Sequence, residues 1–312
     1  MQHWHWLIVI YLFLGGLGAG AYLTSFASEK GWLGKNSRLN RAGYFMAAPI
    51  VALGTLLLVF DLGQGLHKPW LLLRLVFNFR SVMTWGVYIL TAFIIVGLIT
   101  ASLLFKKKKA PNGLTLVGAV LALATGAYTG LLLAVIRAVP FWNTFIMPIL
   151  FVISALSTGL SLTTLAAHFL EKKGSSNPKE NKVHLILVAA ELIIAVIFFG
   201  IMSAGVKGPV ASQSASLVMF GTYAFAFWGC FICLGLLLPL VVFVLEYLHC
   251  KKSGQKAVSE SSLAGRETAA AVQIKQQSYL VLASDLGVLI GGFALRALII
   301  FAALPIWDGK IL

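Results

Sequence analysis

Eight long apolar stretches, at 6–27, 43–66, 82–105, 114–138, 143–170, 183–205, 219–248 and 279–304, take up most of this 312-residue chain. About 20 apolar residues in a helix span the hydrocarbon core of a bilayer. The pattern therefore predicts an all-α membrane protein with eight transmembrane helices. Charge divides the gaps into two kinds. Seventeen of the 24 Lys and Arg residues follow the first, third, fifth and seventh stretches, including Lys30, Lys35, Arg38, Arg41, the run Lys106 to Lys109, and Lys172, Lys173, Lys179 and Lys182. Cytoplasmic loops retain positive charge, so these four gaps are expected inside and both termini outside.

A mean hydropathy of +0.92 with 11% charged residues excludes an ordinary soluble domain. The net charge of +14 would suit a nucleic-acid binder, but it is concentrated in the inner gaps, where it sets topology and meets anionic lipid headgroups. Membrane lipids are the expected partners of that charge, and nucleic acid is not. Met1 to His5 carries no Lys or Arg, so the first stretch reads as an anchor and not as a cleaved signal peptide. Three cysteines make no disulfide framework. Cys230 and Cys233 form a CxxC inside the seventh stretch among Phe and Leu, where thiols act as small hydrophobes. No metal site is expected.

The polar segment 171–182 (EKKGSSNPKENK) splits the chain. Residues 1–170 give a first bundle of helices 1–4 together with helix 5. Residues 183–312 give helices 6–8, with a cytoplasmic loop at 249–278 that is part helix in its second half. Trp4, Trp6, Trp70, Trp85, Trp142 and Trp307 fall at outer ends, against Trp32 on an inner loop. Interfacial Trp ordinarily lines both headgroup layers, so the bias points to added apolar surface outside, such as a docked subunit. The segment 67–81, mixing Trp, Leu and Phe with Arg74 and Arg80, reads as an amphipathic element on that side.

Ionisable residues within the bilayer are costly and are functional candidates by default. Four qualify: Asp61, Glu191, Asp285 and Arg296. The last two are 11 residues apart, which at about 100° per residue returns to within roughly 20° of one helix face. Glu191, Asp285 and Arg296 together mark a candidate proton path from the cytoplasm. Asp61 has other company near the outer surface: His3, His5, Tyr11, His67, Tyr128, Trp142 and Asn143. A ring of imidazole, phenol and carboxyl at that depth suits a quinone, whose carbonyls need hydrogen-bond donors and whose two-electron chemistry needs groups exchanging protons near neutral pH. All six histidines (His3, His5, His67, His168, His184 and His249) fall at or beyond the ends of the stretches. A membrane cytochrome needs axial His inside its helices, so no haem is expected. With no inward-facing His/carboxylate cluster and no paired CxxC, no iron–sulfur cluster is expected in this chain either.

Five segments together resemble the membrane-subunit family of polysulfide reductase and its NrfD-type relatives. They are WLIVIYLFLGGLGAGAYL near the start, FDLGQG around Asp61, RSVMTWGVYIL at 80–90, TGAYTGLLLA at 125–134 running into PFWNTFIMPILFVISALSTG at 140–159, and GGFALRALI at 291–299. The resemblance implies two four-helix bundles in a bacterial or archaeal cytoplasmic (inner) membrane. It also implies an extracytoplasmic, ferredoxin-like iron–sulfur subunit docked outside, attached to a molybdopterin catalytic subunit. The half-reaction of this chain would be quinol oxidation or quinone reduction in the first bundle. His5 (or His3), Tyr128 and Asp61 match the family's quinone-contacting positions. The family commonly continues DLG with Arg-Pro, whereas this chain has Gln64-Gly65, which removes a charge from the pocket rim.

The competing class is a secondary transporter of a small solute or ion. Transporters break helices near the membrane midplane, whereas Pro49, Pro140, Pro148, Pro209 and Pro305 sit toward ends here and Pro239 is the main interior exception. An inert anchor, with the quinone handled by another subunit, is the third reading.

Overall fold

The structure is a computed structural model that describes residues 6–34, 39–61, 77–79, 81–170, 178–256 and 267–306. Its helices are α1 (Trp6–Glu29), α2 (Leu39–Asp61), α3 (Val82–Phe105), α4 (Asn112–Ala134), α5 (Ile146–Leu170), α6 (Pro178–Ser203), the short α7 (Pro209–Met219), the π-helical α8 (Ala226–Leu237), α9 (Leu238–Lys256) and α10 (Glu267–Phe301). Eight spans among them are long and apolar enough to cross a membrane, α8 and α9 contributing one together. No strand occurs among the described residues. The chain is a multi-pass membrane protein.

Trp6 and Phe301 meet edge-to-face with ring centroids 4.6 Å apart, so α1 begins where α10 ends. This end of the molecule is the terminal face. The opposite, basic face exposes Lys106 to Lys109.

Lipid offers no hydrophobic drive for helix association, so small residues and close van der Waals packing hold the spans together. α1 and α10 are the interior spans, each with 67% of its apolar window buried. α1 packs on α2, α4, α5 and α10. A Cβ at Gly20 would collide with the Ala155 carbonyl of α5, and Gly159 of α5 lies against the Gly20 backbone in return. The GxxxG of α1 therefore serves backbone-to-backbone crossing. Gly16, its other member, leaves room for Arg296: a Cβ there would stand 2.6 Å from Nη2. α5 also packs on α4, α6 and α10 and so joins the two halves. α10 approaches α8 closely, Gly235 and Gly291 meeting backbone to backbone.

Four features differ from the sequence expectation. Pro49 lies inside α2, not near its end. The seventh stretch does not form one helix from 219: α7 closes at Met219, a turn follows, and α8 runs as a π-helix whose Leu238 N–H bonds the Cys233 carbonyl. Pro239 follows directly and has no N–H to give, and a widened turn accommodates such a residue. The first half of the polar segment 249–278 is partly helical too, since α9 continues to Lys256, and α10 starts at Glu267 in the second half. Its Ala, Gln, Lys and Glu residues are good helix formers. Finally, α6 starts at Pro178, so His184 sits inside a helix and is buried. That overturns its reading as a span-end residue.

Candidate functional site

Tyr128 and Tyr11 form the centre of the site near the terminal face. Tyr128 lies roughly 9 Å below the end of α4, at about 1.5 Å per residue. Its ring occupies a notch made by Gly86 of α3, where any Cβ would collide with it. Tyr11, one and a half turns into α1, is fully buried, and its hydroxyl has no hydrogen-bond partner among the described residues. The two phenol rings are neighbours. A buried hydroxyl without a partner costs about 1–3 kcal/mol. Tyr11 thus holds a donor for which the described residues supply no acceptor.

Trp142 and Asn143 lie on the α4–α5 connection. Trp142 is fully buried, and its indole N–H donates to the Ile299 carbonyl of α10 at 2.7 Å. Asn143 Nδ2 donates to the Ala134 carbonyl at 2.7 Å, satisfying one of the orphan acceptors at the end of α4. Asp61 closes α2; its side chain, together with His3, His5 and His67, lies outside the described residues. The amphipathic segment at 67–81 is likewise outside them, apart from the exposed Phe77, Asn78 and Phe79 and the Ser81 that caps α3.

Arg296 is fully buried between α1, α5 and α10. Its Nε donates to the Leu12 carbonyl at 3.2 Å, and Nη1 donates to Ser154 Oγ at 3.0 Å and to the Gly292 carbonyl at 2.7 Å. The guanidinium also lies over the rings of Phe13 and Phe151, at 5.6 and 5.3 Å, favourable contacts for a desolvated cation. Its counter-charge is Glu191 of α6, which hydrogen-bonds Ser154. Ser154 therefore joins the only buried acid of α6 near this level to the only buried arginine among the described residues. Helical spacing brings Asp285 and Arg296 onto one face of α10, and the structure adds the bridging α5 hydroxyl.

Nearer the basic face, His184 Nδ1 stands 3.9 Å from Asp285 Oδ1, and both residues are buried. Thr164 Oγ1 is 3.2 Å from His184 Nε2 and donates to Glu180 Oε1 at 3.3 Å. Asn181 Nδ2 donates to Glu246 Oε2 at 2.5 Å. This inward-facing set of imidazole and carboxyl groups contradicts the expectation that no such cluster exists. The apolar stretch begins five residues after the helix does, which is why the sequence alone makes His184 look terminal. Among the described residues no group of three or more His, Cys, Asp or Glu is placed to hold a metal ion.

The family model for polysulphide reductase, NrfD, matches residues 2–264. The chain belongs to the NrfD family. Its relatives include the C subunit of polysulfide reductase from Wolinella succinogenes, 33% identical over 266 residues that cover 77% of this chain and 82% of the relative. Protein NrfD of Escherichia coli is 30% identical over 272 residues, covering 77% and 83%. A protein NrfD homolog of Haemophilus influenzae is 29% identical over 296 residues, covering 84% and 90%. The NrfD match takes in Tyr11, Asp61, Tyr128, Trp142, Asn143 and Glu191, and it ends before α10, which carries Asp285 and Arg296.

Proposed function

We propose that this chain is the membrane anchor and quinone-binding subunit of a respiratory oxidoreductase complex. It exchanges electrons between the quinone pool and an extracytoplasmic, ferredoxin-like iron–sulfur subunit docked on the terminal face, which is attached in turn to a molybdopterin catalytic subunit. The Wolinella relative is, by its name, one subunit of a larger enzyme, and it supports a redox assembly here. The observation that carries the quinone reading is the fully buried Tyr11 hydroxyl beside Tyr128, unpartnered among the described residues.

The residues fit such a ligand chemically. Quinone supplies a two-electron, two-proton couple on a flat ring with two carbonyl acceptors. Tyr11 and Tyr128 offer phenolic donors, and the Gly86 notch fixes the Tyr128 ring. His5 or His3 ahead of α1 and His67 beyond α2 exchange protons with the outer aqueous phase, and Asp61 orients that exchange. Trp142 and Asn143 close the wall behind the phenols, their N–H donors committed to backbone carbonyls. The same proposal includes a four-helix bundle of α1–α4 around the site, a second bundle of α5, α6, α8–α9 and α10, and termini facing outside a bacterial or archaeal inner membrane. The accumulation of Lys and Arg on the opposite side supports that orientation.

The test is steady-state quinol oxidation by the purified complex carrying His5→Ala or Asp61→Asn. Each is expected to lower the rate at least tenfold while the subunits remain assembled. Unchanged rates in both variants would remove His5 and Asp61 from the site.

A further inference from the structure

The rule that keeps Lys and Arg on the inner side is nearly blind to acids, so topology does not explain how acids are shared among the inner gaps. They are shared unevenly. The gaps after the fifth and seventh apolar stretches mix Glu171, Glu180, Glu260 and Glu267 among nine basic residues. Those after the first and third stretches hold eight, Lys30, Lys35, Arg38, Arg41 and Lys106 to Lys109, against Glu29 alone. The basic face of the first half therefore carries an excess of positive charge beyond what orientation requires.

The fold gathers that charge at one end of three helices; only Lys35 and Arg38 lie outside the described residues. The hydroxyl oxygens of Tyr22 on α1 and Thr100 on α3 stand 3.4 Å apart. From that level Lys30 and Lys106 lie roughly 12 and 9 Å further toward the basic face, at about 1.5 Å per residue. Tyr44 of α2 donates to Glu29 at 2.6 Å, which engages the one acid and brings Arg41, a turn before Tyr44, to the same end. Lys30, Arg41 and Lys106 to Lys109 are all exposed. Lys107 takes φ +55°, in the left-handed position that closes a helix and ordinarily goes to Gly. Its N–H and that of Lys108 bond the Leu104 and Leu103 carbonyls. A lysine is thus held there against backbone preference. An apolar track runs up to this charge. α3 is the least buried of the eight spans, and Ile95, Leu98, Ile99, Ser102 and Phe105 are exposed at helical spacing along one side of it. The Ser102 hydroxyl turns back onto the Leu98 carbonyl.

We propose that this end of α1, α2 and α3 binds an anionic phospholipid. Its phosphate sits among Lys30, Arg41 and the Lys106–Lys109 run, and its acyl chains lie along the exposed side of α3. Charge complementarity selects this occupant. A zwitterionic lipid brings no net charge to offset the excess, and a soluble anion makes no use of the track that ends on Phe105, 81% exposed. A ligand that binds only the folded arrangement stabilises it, so the lipid holds together the ends of α1, α2 and α3 opposite Tyr11 and Tyr128. The site does not depend on the quinone reading, and either can fail without the other.

The test is native mass spectrometry of the purified complex titrated with phosphatidylglycerol or phosphatidylcholine, alongside its thermal transition in nanodiscs of each lipid. One Lys or Arg near an anionic surface is worth about a fivefold change in affinity. The wild type is expected to bind phosphatidylglycerol at least about tenfold more tightly than phosphatidylcholine, less so at high salt, and to melt higher in the anionic lipid. Lys107→Gly removes one charge while suiting the left-handed backbone. It is expected to be at least as stable as the wild type in neutral detergent, yet to lose about fivefold in phosphatidylglycerol affinity. Lys106→Gln with Lys108→Gln is expected to lose more, and Lys251→Gln with Lys252→Gln, in a gap where acids offset the charge, to lose little. Equal affinity for the two lipids overturns the site, and this arm needs no variant to fold. Undiminished affinity in Lys107→Gly, equal losses in the two lysine pairs, or an equal thermal shift from glycerol phosphate in solution overturns it as well.

Discussion

Trp142 donates its indole N–H to the carbonyl of Ile299 across 2.7 Å, joining the α4–α5 connection to the last turns of α10. Both groups are buried, and the bond holds together parts of the chain 157 residues apart. Removing the donor leaves a buried carbonyl without its partner, at a cost of about 1–3 kcal/mol. Trp142→Phe is expected to lower the thermal transition of the detergent-solubilised protein clearly. Trp85→Phe, whose indole bond to the Phe79 carbonyl is exposed, is expected to change it little. Equal shifts in the two variants would show that the 142–299 bond does not organise this end of the molecule.

The Gly86 notch separates the position of the Tyr128 ring from the chemistry of its hydroxyl. Tyr128→Phe keeps the ring and removes the donor, so kcat/KM for quinol is expected to fall about tenfold to a hundredfold, or roughly 1.4–2.8 kcal/mol of transition-state stabilisation. Gly86→Ala keeps the donor and displaces the ring, because the new methyl would occupy its place. A raised KM is the expected outcome there. Steady-state kinetics with a soluble quinol analogue distinguishes the two, and wild-type kinetics in both variants would place the quinone elsewhere.

Arg296 and Glu191 form a pair through Ser154. Breaking one member of a buried ion pair is strongly destabilising, by about 3–5 kcal/mol, because the other charge is left unbalanced. Arg296→Met alone is expected to lose stability on that scale. Arg296→Met combined with Glu191→Gln is expected to recover part of the loss, since the orphaned carboxylate is gone. A double-mutant cycle on thermal or denaturant unfolding measures the coupling; strict additivity would mean that the two side chains do not act together.

The number of spans is legible because apolar length is the strongest signal that a membrane imposes on a sequence, and the described residues form eight such spans. The four intramembrane ionisable residues are legible for the same reason. Which partner each one finds is not. Glu191 meets Arg296 only because Ser154 of a third helix lies between them. His184 escapes detection because α6 takes in polar residues from Pro178 onward, which an apolar-stretch criterion discards. Its pairing with Asp285 is hidden by the same discarded turn. Ser154 and Thr164 of α5 are readable as polar residues in an apolar stretch, but isolated hydroxyls in an apolar helix usually bond their own backbone, as Thr158 and Thr163 do. Trp142 stands at the end of its span as expected. Its burial under α10 depends on how the α4–α5 connection folds back, which hydropathy does not encode. The π-helical turn before Pro239 likewise needs coordinates.

The most direct measurement is photoaffinity labelling of the intact complex with an azidoquinone, followed by mass-spectrometric mapping of the modified peptides. Label is expected on the α1 segment around Tyr11 and on the α4 segment around Tyr128, reduced by excess unlabelled quinol. Label confined to α8 and α9, with α1 and α4 unmodified, would contradict a quinone site between the two phenols.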